Sequence, residues 1–302
     1  MSEAELDLRD LPVEEIEDPA EALALGRPAP RVTVIKPATG WPTFDVRELW
    51  AYRELALRLV WRDIMVRYKQ TVIGVAWVLF QPAVTTLIYA LVYGKFAKFP
   101  AGQLPYPLLA LSGLIPAQYF QAALTRSSGS IVSNVNLVTK VYFPRVLMPI
   151  SAVIGPLVDL AFACVLLVAV MAWYGIWPES PVVVLAPLFI LLSLVTALGT
   201  GLFLSAVNVR FRDVPYVIPL FMQILPLVSG VPYDVSELPE KWQWLLYANP
   251  LTAVIAGWRW TVLNAAAPDP AKLAVSLGVA ALLVTVGLAF FRRSEPKFAD
   301  AI

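Results

Sequence analysis

The chain has 302 residues, of which 59% are hydrophobic and only 15% are charged, and its formal net charge is +1. Soluble domains carry about 25% charged residues, so this composition excludes an ordinary soluble protein and indicates a membrane protein. There is no histidine, and Cys164 is the single cysteine, which excludes an intrachain disulfide and removes the commonest general base and zinc ligand. We therefore expect no catalytic residue, no metal site and no cofactor in this chain.

Residues 1–43 are predicted to form a disordered, acidic cytoplasmic tail. The first 25 residues are rich in aspartate and glutamate, with Arg9 as their only base, and prolines follow. Such a segment has too few large apolar side chains to bury. It also lacks the apolar core of a cleavable signal peptide, so we expect the first transmembrane helix to direct insertion.

Residues 44–70 are predicted to form one amphipathic helix at the membrane interface. At ~100° per residue, one stripe of this helix is mainly basic and consists of Arg47, Glu54, Arg58, Arg62 and Lys69. A second stripe is apolar and consists of Leu49, Trp50, Leu57, Val60, Trp61, Ile64 and Tyr68. A basic helix with tryptophans on its apolar side is typical of the headgroup layer. The alternative is a surface helix that packs on a soluble core.

Six apolar segments follow and predict six transmembrane helices within residues 71–302. Their expected bounds are Val72–Tyr93, Pro107–Leu124, Val146–Trp173, Val182–Val207, Val214–Gly230 and Leu273–Phe291. All but the fifth come close to the ~20 residues that cross a ~30 Å hydrocarbon layer. The fifth is short and contains three prolines, so we expect it to lie inside the assembly, where neighbouring helices satisfy the freed carbonyls.

The distribution of basic residues predicts the orientation of the chain. One set of flanks carries many bases, among them Arg62, Arg67, Arg126, Lys140, Arg145, Arg210, Arg212, Arg292 and Arg293. The opposite flanks carry only Lys95, Lys98, Lys241, Arg259 and Lys272. The positive-inside rule then places both termini in the cytoplasm.

Two connections are too long to be simple turns. The connection between spans two and three is predicted to contain a short helix over residues 131–141, which ends before Pro144. The connection between spans five and six is predicted to contain two short helices, the first begun by Pro239 and the second capped by Asn249. These two helices carry Trp242, Trp244, Trp258 and Trp260. They are apolar but too short to span, which is typical of interfacial or re-entrant segments.

Few residues of this chain could carry chemistry. Residues 199–205, GTGLFLS, lack the lysine of a phosphate-binding P-loop, so the sequence contains no P-loop of its own. Asp159 is the one carboxylate well inside a predicted span, where an acid is a functional candidate. It could pair with a base or a hydroxyl at a helix contact, or it could act on a substrate or a proton.

Aromatic side chains are concentrated near the first predicted span. Sugar rings present C–H groups that pack on aromatic faces, so an aromatic pathway would suit a glycan. Trp61, Tyr68 and Tyr93 fit an aromatic belt at the lipid interface better. The candidates for a channel lining are Trp77, Phe80, Tyr89 and Phe221.

Five separated motifs resemble the permease subunits of polysaccharide ABC exporters, the O-antigen, capsule and teichoic-acid transporters. The first is WRDIMVRYKQTVIGVAWVLFQP at residues 61–82. The others are LSGLIPAQYF (111–120), SNVNLVTKVYFPRVLMPIS (133–151), NVRFRDVP (208–215) and NPLTAVIAGWRW (249–260). The motifs occur in the order of the family, and the resemblance covers the chain from about residue 44 to its end.

The resemblance implies an all-α, multi-pass protein of the bacterial inner membrane. It implies a homodimer that encloses a channel lined largely by spans one and five, with two copies of an ATP-binding subunit as partners. Membrane lipids and a lipid-linked polysaccharide would be the other partners, and no nucleic acid is expected.

The resemblance also implies roles for individual segments. The helix before span one would help to hold the ATPase, and the loop between spans two and three would dock in it as a coupling helix. The residues implicated in that docking are Ile131, Val132, Asn134, Asn136, Leu137, Lys140 and Arg145. The two short outer helices, with their four tryptophans, would gate the periplasmic end.

The expected function is therefore outward transport of a lipid-linked polysaccharide of the O-antigen type. Within transport, the alternative is an ABC exporter of small lipophilic compounds or lipids, which would have an apolar pocket instead of a continuous aromatic lining. A membrane enzyme such as a lipid-linked sugar transferase would need clustered acids or metal ligands. Asp63, Asp159 and Asp213 are separated in the predicted topology and offer no such cluster.

Overall fold

The computed structural model describes residues 46–69, 74–99, 102 and 104–298. Within these residues it contains helices and turns and no strand, as the all-α prediction requires. The predicted acidic tail, residues 1–43, lies outside the described residues. So does the junction at residues 70–73, between the predicted interface helix and the first span.

Two helices, α1 (Val46–Ala51) and α2 (Arg53–Tyr68), replace the single predicted interface helix. The backbone leaves the helix at Tyr52, between them. Trp50, Leu57 and Trp61 are exposed, as expected for the apolar stripe that the sequence predicts. On another face Leu59 is buried in a cluster with the transmembrane helices. Leu49 of the predicted stripe packs against the same cluster, as do Leu55 and Ala56, which the stripe did not contain. The first segment thus has two apolar faces, and the predicted stripe covers only part of the packed one.

The other helices follow the predicted order. In chain order they are α3 (Gly74–Tyr89), α4 (Tyr106–Gly129), α5 (Val135–Lys140), α6 (Leu147–Ile154), α7 (Leu157–Tyr174), α8 (Ala186–Arg210), α9 (Val214–Val228), α10 (Glu240–Tyr247), α11 (Pro250–Leu263) and α12 (Pro270–Ser294). A π-helical segment, Ala90–Phe96, extends α3. Short 3-10 turns precede α5 and α8 and follow α12.

Among the described residues, five helical stretches are long and apolar enough to cross a membrane. They are α3 with its π-helical extension, α4, α6 together with α7, α8 with its preceding turn, and α12. The fifth predicted span corresponds to α9, which has 15 residues. At 1.5 Å per residue α9 is roughly 22 Å long, which is shorter than the ~30 Å hydrocarbon layer. Five of the six predicted spans are therefore supported by length. The remaining one, the fifth, stays a prediction.

Helix α4 lies at the centre of the bundle. In its most apolar stretch 78% of the residues are buried, compared with 33% or less in the other four span-length stretches. Leu114, Phe120 and Leu124 of α4 pack in one cluster with side chains of α8 and α11. Helices α3, α7 and α8 pack on α4, and α12 packs on α8. The outer faces of these long helices remain exposed and apolar, as expected for a protein whose outer solvent is lipid.

Helices α8 and α12 contact each other at their backbones. A Cβ atom added to Gly199 would lie 2.6 Å from the Cα atom of Val284. One added to Gly287 would collide with the carbonyl oxygen of Gly199. Small residues allow helices in a membrane to approach closely, where dispersion rather than the hydrophobic effect holds them together.

We call one end of the bundle the basic end and define it by Arg67, Arg126, Arg145, Arg210 and Arg292. At this end, one hydrophobic cluster joins Leu59 of α2, Ile131 and Val138 of the connection after α4, and Phe291 of α12. The connection that contains α10 and α11 lies at the opposite end, where it packs on the beginnings of α4 and α12.

Candidate functional site

At the basic end, Asp159 of α7 binds two neighbouring residues of α2. Its carboxylate forms an ion pair with Arg67 and accepts a hydrogen bond from the Tyr68 hydroxyl. Burial raises the pKa of Tyr68 to about 12, and the hydrogen bond to Asp159 adds to the effect, so this hydroxyl is a donor at neutral pH. Asp159 thus has both kinds of partner that its position inside a predicted span suggested, and it ties α2 to the third span.

Arg126, near the end of α4, interacts electrostatically with two of the three aspartates that the sequence singled out. Both Asp63 and Asp159 act electrostatically on its guanidinium. Both acids are therefore within electrostatic range of the same guanidinium. Within the described residues no group of three metal-binding side chains is found.

The connection between α4 and α6, which the resemblance assigns to coupling, presents one exposed face. Asn136 and Lys140 are exposed and lie one turn apart on α5, which places them on one side of that helix. Val132, in the 3-10 turn before α5, is also exposed. Val141 and Tyr142 continue this exposed surface and were not among the predicted residues. We call these five residues the coupling face.

The other predicted coupling residues face the protein. Ile131 is fully buried, and Leu137 packs against the same cluster. The Asn134 side chain donates a hydrogen bond to the Ser130 carbonyl at 2.9 Å. These side chains hold the connection in place and leave the coupling face outward.

Arg145 at the end of this connection also turns inward, towards the segment after α12. Its backbone N–H donates to a carboxylate oxygen of Glu295 at 3.2 Å, and its guanidinium donates to the Glu295 carbonyl at 2.5 Å. Glu295 also pairs with Arg292 at 3.3 Å. Nearby, Phe298 is buried and packs edge-on against Phe291, with ring centroids 5.2 Å apart. The segment that follows α12 therefore braces the coupling connection, a contact that local sequence patterns did not indicate.

The candidate channel-lining residues lie mostly on exposed faces. Trp77 and Phe80 of α3 are exposed and stacked, with ring centroids 5.4 Å apart. Tyr89 is half-buried and contacts Tyr93 at 5.0 Å. On α9, Phe221 is exposed in a strip with other apolar side chains. Their role in a channel stays a prediction.

At the opposite end, Arg259 of α11 is buried and binds two other parts of the chain. Its guanidinium donates hydrogen bonds to the carbonyls of Leu109 (2.9 Å), Gly230 (2.8 Å), Val231 (2.7 Å) and Tyr233 (3.0 Å) and to the Ser112 hydroxyl (3.3 Å). A Cβ atom added to Gly113 would lie 2.6 Å from this guanidinium, so glycine makes the approach possible.

These five acceptors allow a cation to be buried at a position where none of the described carboxylates is in hydrogen-bonding contact with it. Arg259 thus joins α11 to the beginning of α4 and to the segment that follows α9. The sequence had suggested an ordinary flanking base, and the structure corrects this, because Arg259 is only 4% exposed. The signal in the sequence that could have predicted a buried Arg259 is that it is the single base in an otherwise apolar short helix.

The two predicted outer helices are present, but their tryptophans differ in position. Asn249 caps α11 as predicted, since its side chain accepts a hydrogen bond from the Leu251 N–H at 3.1 Å. Trp242 and Trp244 of α10 are exposed, whereas Trp258 is buried. Trp260 packs edge-on against Phe189. Two of the four candidate gate residues therefore face outward and two pack α11 into the bundle; a gating role stays a prediction.

An all-helical bundle with several membrane-length helices and a short helix anchored by a buried arginine defines a multi-pass membrane protein. The family model of the ABC-2 type transporter matches residues 54–263, more than half of the chain. The chain belongs to the ABC-2 type transporter family. The matched region begins in α2 and ends with α11, so it includes Asp159, the coupling face and Arg259.

Curated relatives are similar to this chain over nearly their whole length. The O-antigen export system permease protein RfbA of Klebsiella pneumoniae is 27% identical over 244 residues, which cover 80% of this chain and 92% of that protein. The protein of the same name from Myxococcus xanthus is 27% identical over 260 residues, covering 85% and 98%. The polysialic acid transport protein KpsM of Escherichia coli is 28% identical over 243 residues, covering 78% and 91%.

Proposed function

We propose that this chain is the membrane-spanning permease subunit of an ATP-driven exporter. The exporter moves a lipid-linked polysaccharide of the O-antigen type outward across the bacterial inner membrane. The observation that carries this proposal is the similarity over 92% and 98% of the length of two permeases named for O-antigen export. ATP and Mg bind to a separate subunit, and the permease itself is not an enzyme.

The proposed assembly contains two permease copies and two ATP-binding subunits, with both chain termini in the cytoplasm. The basic end is then the cytoplasmic end, in agreement with the positive-inside rule. Helix α9 completes the sixth crossing, and its short length is compatible with a position between neighbouring helices. The exposed aromatic strips on α3 and α9, with Trp77, Phe80 and Phe221, support a channel formed where two copies meet.

The coupling face is the proposed contact with the ATP-binding subunit. Val132, Asn136 and Lys140 point away from the bundle, while Ile131 and Val138 anchor the connection in the core. Such an anchored surface can transmit a displacement of the ATPase to α4 and α6, because both helices continue directly into it.

Deletion and complementation in the source bacterium test the proposal. Loss of the gene is expected to leave the polysaccharide lipid-linked inside the cell, and the wild-type gene should restore it to the surface. A variant with Asn136→Asp and Lys140→Glu should insert normally but fail to restore export. Lys241→Glu, an exposed change at the opposite end, is the matched control and should restore it. Normal surface polysaccharide in the deletion strain would refute the proposal.

A further inference from the structure

A cavity of about 110 Å³ lies at the basic end, between α2, α3, α4 and α7. In this measure ~10–15 Å³ is enough to hold one water molecule, so the cavity has room for a phosphate group but is too small for a whole lipid. Its charged lining consists of Arg67 and Asp159. Gln81 of α3 and Gln118 of α4 add neutral hydrogen-bonding groups.

Arg126 lies beside this cavity. It is one helical turn after Ala122, which lines the cavity, and its guanidinium would lie 3.5 Å from a Cβ atom added to Gly155, the neighbour of the lining residue Pro156. Arg126 is half-buried. Within the described part of the chain it takes part in no ion pair and no hydrogen bond, whereas Arg67 is paired with Asp159.

The charges around the cavity do not cancel. Asp63 forms its ion pair with Arg62 at 2.9 Å, and Asp159 pairs with Arg67 and Tyr68. Among the described residues, the three arginines Arg62, Arg67 and Arg126 are thus accompanied by two aspartates, an excess of one positive charge. A half-buried guanidinium with donors to spare is a good partner for a phosphate, because its planar fork matches two phosphate oxygens.

The cavity becomes apolar towards the middle of the bundle. From the charged residues it continues along Ile115 of α4 and along Leu160 and Ala163 of α7. A phospholipid has a matching arrangement, with its charged phosphate at the membrane surface and its hydrocarbon chains below. Basic pockets between transmembrane helices near the surface are known to accept lipid headgroups.

We propose that this cavity binds the phosphate group of a lipid. Arg126 is the principal ligand of the phosphate, Arg67 contributes on the other side, and the hydrocarbon chain follows Ile115 and Leu160. The phosphate belongs either to an anionic phospholipid of the bilayer or to the lipid carrier of the glycan. Only the second source rests on the proposed export function.

Lipid binding by the purified full-length chain tests the proposal. Native mass spectrometry would measure the affinity for phosphatidylglycerol, for a polyprenyl phosphate and, as the zwitterionic reference, for phosphatidylcholine. Arg126→Gln is expected to weaken binding of an anionic lipid about tenfold or more, because it removes the charge-assisted hydrogen bonds to the phosphate. Arg126→Lys keeps the charge and should lose less. Arg212→Gln, exposed at the same end, should change nothing.

A second variant separates binding from folding. Ala122→Leu reduces the cavity but leaves all its charges, and it should also weaken binding several-fold. Unchanged binding of both anionic lipids by Arg126→Gln and by Ala122→Leu would overturn the proposal. Arg126-dependent preference for polyprenyl phosphate identifies the glycan carrier as the source. Equal Arg126-dependent binding of the two identifies a bilayer phospholipid, and this result would stand even if the export function were refuted.

Discussion

Glu295 accepts a hydrogen bond from the backbone N–H of Arg145, although the two residues are 150 positions apart. Glu295 belongs to the 3-10 turn after α12. Arg145 lies near the end of the connection that carries the coupling face. The contact fixes this connection to α12 as well as to the two helices that it joins. A displacement of the coupling face is therefore shared by three helices of the bundle.

Removal of the Glu295 side chain should weaken coupling more than it weakens folding. Glu295→Ala leaves the Arg145 N–H without its acceptor, and we expect a local cost of about 1–2 kcal/mol. In the complex with the ATPase, export per ATP hydrolysed should fall while ATP hydrolysis continues. Glu295→Gln retains an acceptor oxygen and should be milder. Glu237→Ala, exposed at the opposite end, is the control; an equal loss in both alanine variants would contradict this role.

Replacement of Arg259 should destabilise the opposite end of the bundle. Arg259→Ala leaves four carbonyls and a hydroxyl without their donor, and each buried polar group left without a partner costs about 1–3 kcal/mol. Thermal unfolding in detergent should show a large decrease in midpoint temperature. Lys241→Ala removes an exposed base of the neighbouring helix and should have little effect. A wild-type midpoint for Arg259→Ala would show that the network contributes no stability.

Glycine at position 287 should be required for the contact between α8 and α12. Gly287→Ala forces the new Cβ atom against the Gly199 carbonyl, so the helices must separate, and we expect a cost of about 1–3 kcal/mol. Gly278 lies on the same helix, and a Cβ atom there meets nothing within 4 Å. Gly278→Ala should therefore be neutral or stabilise the helix by up to about 1 kcal/mol. The two alanine variants can be compared directly in one thermal unfolding series.

The bond between Tyr68 and Asp159 should hold α2 to α7 independently of pH near neutrality. Because the pKa of Tyr68 is raised to about 12, its stabilising contribution is fully present below the ordinary tyrosine value of ~10 and is lost only as pH rises towards 12. Tyr68→Phe should thus lower stability by the same amount at pH 6 and pH 8, by roughly 1 kcal/mol. The rate of limited proteolysis around α2 measures how readily α2 detaches from α7. A cost that disappears at pH 8 would contradict this assignment.

Local chemistry made parts of this structure predictable. Asn249 followed by Pro250 is a two-residue signal for the start of a helix, and the structure has the cap at Asn249 as predicted. The long apolar runs likewise predicted the five membrane-length stretches, because spanning a bilayer requires length and apolarity from each segment separately.

The contacts that build the candidate site depend on distant residues and were not predictable in the same way. Arg259 appeared to be a flanking base because its acceptors come from residues 109–112 and 230–233. The packed face of α2 at Leu59 is apolar like the exposed one, so periodicity alone did not separate the two. Two of the predicted gate tryptophans, Trp258 and Trp260, pack into the bundle for a related reason, since a tryptophan in a short apolar helix suits either a surface or a core.

The most direct test of the central claim is transport by the reconstituted complex. The chain would be co-purified with its ATP-binding partner, placed in proteoliposomes, and supplied with radiolabelled lipid-linked polysaccharide in the outer leaflet of vesicles whose ATP-binding subunits face outward. We predict that ATP moves the label to a protected location, and that the Asn136→Asp, Lys140→Glu variant abolishes this movement. Movement without ATP, no movement by a complex that hydrolyses ATP normally, or failure of any ATPase to co-purify would contradict the account.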